Sequence, residues 1–144
     1  MGKKTVNKSV VIGTIGDDAH IIGGWVLAQV FKDAGFTVSF LGAMVPQEEF
    51  VNAAVETNAD AILVSSSYGM GIIDCEGLRD RCIEAGLDDI ILYAGGTVAA
   101  PLELENNWPE IERRFAAMGF NRVFKNTCSA KQCLEYLKED LGIQ

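Results

Sequence analysis

Five short apolar runs, each followed by a longer stretch with helical spacing, organise this chain. The runs are SVVIGTI (9–15), TVSFLG (37–42), DAILVSS (60–66), DIILYAGG (89–96) and RVFK (122–125). The first is apolar at consecutive positions, as a strand buried on both faces requires. The stretches between them read as helices. IIGGWVLAQVFKDAG (21–35) ends at Gly35, a residue suited to the position past a C-cap. PQEEFVNAAVETN (46–58) places Pro46 at the first helical position and glutamates in the first turn, with Phe50, Ala53, Ala54 and Val55 as its apolar stripe. DCEGLRDRCIEAG (74–86) and WPEIERRFAAMG (108–119) follow, and SAKQCLEYLKEDLG (129–142) closes the series with Ser129 as N-cap.

Five successive βα units predict an α/β fold: a parallel sheet with right-handed crossovers and helices on both faces. For five strands the expected order is 2-1-3-4-5, the flavodoxin-like, Rossmann-like arrangement. The 144 residues suit a single domain over 1–144. The irregular segment TVAAPLELENN (97–107) is expected to be a surface loop.

Composition narrows the partners. A net charge of −8 repels phosphate backbones, which argues against nucleic acid. No apolar run approaches the about 18 residues that a membrane helix needs, and the basic N-terminus lacks the apolar core of a signal peptide. Cys75, Cys82, Cys128 and Cys133 form no CxxC pair, and with one histidine they argue against a zinc site. They are read as reduced thiols of a cytoplasmic protein.

Folds of this kind bind ligands outside the carboxyl ends of their strands, near the switch point between strands 1 and 3. The loops to inspect follow Ile15, Ser65, Ala94 and Phe124, and three of them are unusual. GDDAHIIGG contains the only histidine, His20. Asp18, two residues before it, is placed to accept from one ring nitrogen and leave the other free for a metal or a proton. Gly23 and Gly24 stand in the first helical turn, where each costs about 1 kcal/mol relative to alanine, which suggests something bulky close to the backbone. VSSSYGMG (64–71) ends a buried strand in Ser65, Ser66 and Ser67, a set of short hydroxyls. YAGGTVAAP (93–101) puts Gly95 and Gly96 directly at a strand exit.

Other ligand signatures fail. There is no GxGxxG after the first strand, no acidic residue ending the second, and no GxxxxGK[ST]. A phosphoacceptor receiver domain would need an aspartate ending strand 3, where serines stand instead.

Asp18-x-His20-x-x-Gly23 resembles the DxHxxG signature of base-off, histidine-on cobalamin-binding domains. In that family the signature is followed at set distances by SxL and GG. Here 41 residues separate Gly23 from Ser65, and 27 separate Ser67 from Gly95. Ser67 stands where the family usually has leucine. PQEEFVNAAVETNAD, VSSSYGMGIIDCEGLRDRCIEAGL and NWPEIERRFAAMGFNRVF extend the resemblance to the small sigma subunits of glutamate mutase, over essentially the whole chain.

The resemblance implies adenosylcobalamin as cofactor and His20 as the lower axial ligand of cobalt, in place of the cofactor's own dimethylbenzimidazole. It implies that Asp18 orients His20 and that Gly23 makes room for the displaced nucleotide tail. Ser65, Ser66 and Ser67 would line one side of the tail's cleft. Gly95, Gly96, Thr97, Val98, Ala99, Ala100 and Pro101 would line the other, and Asp17, Ala19 and Ile21 would flank the ligand beneath the corrin. The implied reaction is the radical rearrangement of L-glutamate to (2S,3S)-3-methylaspartate, shared with a larger epsilon barrel subunit in an assembly of two small and two large subunits. Glutamate carries two carboxylates and calls for arginine clamps. The five arginines fall on helices or at the start of strand 5, so the substrate site is expected on the partner. A corrinoid carrier of a methyltransferase system is the alternative. Such carriers usually have a helical bundle ahead of the signature, whereas strand 1 is expected here from residue 9. A cobalamin sensor would normally carry an effector domain.

Overall fold

The computed structural model describes residues 6–100, 102 and 106–143. Its five strands are β1 (Ser9–Thr14), β2 (Thr37–Phe40), β3 (Ala61–Ser66), β4 (Ile91–Gly96) and β5 (Arg122–Phe124). All pair in parallel, in the order β2-β1-β3-β4-β5. The expected topology is therefore the observed one. The helices are α1 (Ile21–Asp33), α2 (Gln47–Thr57), α3 (Gly71–Asp74), α4 (Leu78–Glu84), α5 (Trp108–Ala117) and α6 (Ala130–Asp140).

Strand alternation sorts the core into two layers. Val10, Ile12, Leu63 and Tyr93 face α1 and α6, where they pack with Phe31, Phe36, Leu134 and Leu137. Val11, Ile62, Val64 and Leu92 face the other way, onto Phe50, Leu78, Ile111 and Phe115 of α2, α4 and α5.

The boundaries differ from the sequence reading where local chemistry intervenes. Pro46 is the N-cap of α2 and not its first residue, and Asn58 closes that helix in the left-handed region. Ser129 caps α6 in a full capping box with Gln132. The single helix expected over 74–86 is two short ones, because Gly77 sits at φ +85 between them. That break frees backbone carbonyls, which need partners. Gln47 supplies them: its side-chain amide donates to the carbonyls of Asp74 and Glu76 at 2.7 and 2.6 Å.

The segment after β4 is not simply a surface loop. Val98 and Ala99 are buried in the α2–α4–α5 layer, and the Val98 carbonyl accepts from the Ile72 N–H at 2.8 Å. Two short apolar residues at a strand exit extend the core past the last ladder bond. Pro101 lies outside the described residues. No described helix is long and apolar enough to cross a membrane, and all four cysteines are free.

Candidate functional site

The loop between β1 and α1 is held on both sides. From the β2 side, the Met44 N–H donates to the Asp18 carbonyl at 3.0 Å, and the Gly16 N–H to that of Val45 at 3.0 Å. From the β3 side, the Ser67 N–H donates to Asp18 Oδ2 at 2.6 Å. The Asp18 side chain is buried, whereas that of His20 is 66% exposed. Asp18 Oδ1 takes the His20 N–H at 2.9 Å and lies 2.6 Å from His20 Nδ1. One carboxylate thus fixes the backbone and the ring of the same residue.

Burial pushes the Asp18 carboxyl upward, but hydrogen bonds from Ser67, from the His20 N–H and from the His20 ring outweigh it and hold it below its ordinary value. An ionised Asp18 accepts, so Nδ1 carries a proton, and in the neutral ring the lone pair is then on Nε2. His20 is also the N-cap of α1 and makes no side-chain cap, which leaves the ring at the helix mouth. Among the described residues no group of three or more His, Cys, Asp or Glu is arranged to hold a metal ion. His20 thus presents one ring nitrogen at the helix mouth, with no companion His, Cys, Asp or Glu cluster around it among the described residues.

Beside this loop a cleft of about 260 Å³ opens on the α1–α6 face of the sheet. Its walls include Gly23, Ser65, Ser67, Gly95, Gly96 and Thr97. Ser67 lines the cleft and grips Asp18, so histidine loop and cleft share a wall. The two helix glycines serve different ends. A Cβ at Gly23 would meet only Ser65 Oγ, at 3.6 Å, and would project toward the cleft; one at Gly24 would press on Phe40 and Thr14 at 3.3 Å. Gly23 keeps space open, and Gly24 lets α1 sit close on the sheet. At Gly96, with φ +105, a Cβ would overlap the Ser66 carbonyl oxygen.

Some named positions do not reach the cleft. Ser65 and Ser66 point to opposite faces by strand alternation. Ser66 is fully buried on the far side against Gly71, and its hydroxyl has no partner among the described residues. Val98 and Ala99 lie in the same far layer, and Ala100 packs on Gly69 of the β3–α3 loop. Asp17, Ala19 and Ile21 are exposed around the histidine.

A whole wall was missed. Asn126, Cys128 and Ser129 of the β5–α6 connection, flanked by Phe124 of β5 and Cys133 of α6, close the cleft opposite α1. Asn126 ties this wall to the β4 exit by donating to Thr97 Oγ1 at 3.1 Å. The loop after Phe124 was among those to inspect, but it carries no glycine pair or hydroxyl run. Its usable signal was the Ser129 N-cap, which turns the first turn of α6 toward the strand ends. Leu63 and Tyr93 form an apolar floor. The one cation among the described lining residues is Lys125, and no arginine lines the cleft.

Four of the five arginines are engaged elsewhere, and the fifth, Arg81, is exposed on α4 outside the cleft lining. Arg79 donates to the carbonyls of Gly119 and Ile90. Arg113 and Arg114 pair with Glu110, and Arg122 pairs with Asp140.

Comparison with known proteins agrees with this geometry. A B12 binding domain family model matches residues 8–113. The chain is 48% identical over 137 residues to a glutamate mutase sigma subunit from Clostridium tetani, covering 95% of this chain and 98% of that one. It is 51% identical over 140 residues to a glutamate mutase sigma subunit from Carboxydothermus hydrogenoformans, covering 97% and 98%. Among solved structures, a cobalamin-binding protein from Desulfitobacterium hafniense superposes with a TM-score of 0.74 at 20% identity, over 92% of this chain and 58% of that one. The monomethylamine corrinoid protein of Methanosarcina barkeri gives 0.67 at 21%, over 92% and 57%. This chain spans less than two thirds of either, and the two establish the fold alone. On the B12 binding domain match, and on near-complete alignment with sigma subunits at about half the residues identical, the chain belongs to the glutamate mutase sigma subunit family of B12-binding proteins.

Proposed function

We propose that this chain, acting over 1–144 as one domain, is the cobalamin-binding sigma subunit of glutamate mutase. The observation that carries the reading is the buried Asp18 carboxylate bound to Nδ1 of an exposed His20, beside a slot at the strand ends walled by glycines and short hydroxyl side chains. The residues fit a corrinoid whose own base has been displaced. His20 Nε2 would serve as a nitrogen donor to cobalt, and Asp18 would fix the ring's tautomer and direction. Gly23, Ser65, Ser67, Gly95, Gly96 and Thr97 would enclose the nucleotide tail, with the β5–α6 connection as the second wall. Ile21, Ile22 and Met44, exposed beside the histidine, suit a face that the corrin and a partner cover.

When bound, adenosylcobalamin supplies the carbon radical that initiates rearrangement of L-glutamate to (2S,3S)-3-methylaspartate. This chain's residues hold the cofactor and orient it. The lack of a free arginine in the cleft supports a substrate site on the larger epsilon subunit, in an assembly of two small and two large chains. A cytoplasmic setting belongs to the same proposal and is supported by the four free thiols.

The test is reconstitution with a candidate epsilon subunit and adenosylcobalamin, followed by an assay of methylaspartate. Product is expected only when both chains are present, and His20→Ala should abolish it. Turnover by this chain alone, or an active His20→Ala, contradicts the reading.

A further inference from the structure

The histidine loop is held by more than Asp18. Tyr68, directly after Ser67, places its hydroxyl between the loop and a second acid. The hydroxyl accepts from the Asp17 N–H at 3.3 Å and donates to Asp74 Oδ2 at 2.5 Å. Residues 67 and 68 therefore grip 18 and 17 in parallel, one through backbone and one through side chain. The loop is pressed onto this pair. A Cβ at Gly16, which has φ +72, would run into the Asp74 carboxyl and would lie 2.9 Å from the Tyr68 hydroxyl.

Asp74 is itself anchored. Its N–H closes α3 on the Met70 carbonyl at 2.9 Å, and its carbonyl is held by Gln47 of α2. A continuous path thus runs from α2 through Asp74 and Tyr68 to the Asp17–Asp18 backbone and on to His20. The bond to Asp74 also pushes the Tyr68 phenol up to about 12, so it stays a protonated donor at neutral pH.

We infer that Tyr68 and Asp74 are positioning residues that set the orientation of the His20 ring through the Asp17–Asp18 backbone. The inference rests on the cobalamin reading for its consequence, but not for its geometry. Neither side chain lines the cleft, so their effect on cobalamin passes through the loop.

The test uses Tyr68→Phe, Asp74→Ala and Asp74→Asn in the full chain, with circular dichroism and thermal midpoints to establish folding. The single histidine makes its ring nitrogens unambiguous in nitrogen-15 NMR of the cofactor-free chain. At about pH 8 the parent should show one dominant tautomer, with the proton on Nδ1 facing the Asp18 carboxylate. Tyr68→Phe and Asp74→Ala should shift the ring toward a tautomer mixture. They should also weaken hydroxocobalamin binding about tenfold, the scale seen when groups orienting a metal ligand are removed. Asp74→Asn keeps an acceptor oxygen and should stay near the parent. The double variant Tyr68→Phe/Asp74→Ala should be no worse than either single one, because the two act as a unit. Parent-like ring signals and affinity in folded Tyr68→Phe and Asp74→Ala overturn the inference. Should Tyr68→Phe lose its fold, the Asp74→Ala and Asp74→Asn pair makes the same comparison. If the parent itself fails to bind hydroxocobalamin, the cobalamin reading falls, and the ring signals still decide the positioning role.

Discussion

Asp18 concentrates the chemistry of this chain in one carboxylate. It is buried, which alone would favour its neutral form, yet three hydrogen bonds keep it ionised. That role was legible in the spacing Asp18-x-His20, because a short acidic side chain two residues before an N-cap position reaches the following N–H and ring. The strand-exit residues were legible only in part. Ser66 stands next to Ser65 in sequence but on the opposite face of β3, and a run of three serines does not announce which of them the cleft receives. Gly96 illustrates a glycine whose necessity is purely local. Gly96→Ala combines left-handed strain with overlap on the Ser66 carbonyl and should cost more than about 3 kcal/mol. Gly86 has φ +83 and open space around its missing Cβ, so Gly86→Ala should cost only about 1 kcal/mol. Urea unfolding of the two variants measures the contrast.

At the scale of elements, helix-to-sheet docking relies on polar ties that hydrophobic periodicity does not reveal. The βα alternation, the sheet order and the capping of α6 followed from pattern and cap chemistry. The break in the third helix did not, although Gly77 marked it, because its stability depends on Gln47 reaching across from α2 to take the freed carbonyls. Arg79 is a comparable tie. It joins α4 to the turn after α5 through the Gly119 carbonyl and Asn121, and to the entry of β4 through the Ile90 carbonyl. Arg79→Met should therefore destabilise the fold by about 2 kcal/mol, since it leaves part-buried carbonyls without donors; thermal unfolding monitors this. A second tie joins β5 and β4 to α6. Asp140 accepts from Arg122 at 2.7 and 2.9 Å and from the Tyr93 hydroxyl. The Arg122 hydrogen bonds hold the Asp140 carboxyl below its ordinary value, against a smaller opposing effect of burial. A group with a lowered folded pKa stabilises fully above its unfolded pKa of about 3.9, and the contribution is lost as pH falls through the folded value. Asp140→Ala should then cost about 1–2 kcal/mol at neutral pH, allowing for partial exposure. The gap to the parent should close as pH is lowered below about 4.

For the molecule as a whole, the architecture separates two tasks. The sheet and its two helical layers form the base, and the strand ends present one nitrogen donor and one slot. No described residue lining the slot resembles a dicarboxylate clamp, which is in keeping with the proposal that another subunit completes the chemistry. The central claim is that a protein nitrogen replaces the cofactor's own base at cobalt. Electron paramagnetic resonance of cob(II)alamin bound to chain carrying nitrogen-15 histidine tests it most directly. Because His20 is the only histidine, a doublet superhyperfine splitting from nitrogen-15 in place of the nitrogen-14 triplet is the predicted result. A triplet that persists in the labelled protein would mean that dimethylbenzimidazole still ligates cobalt, and would contradict the account.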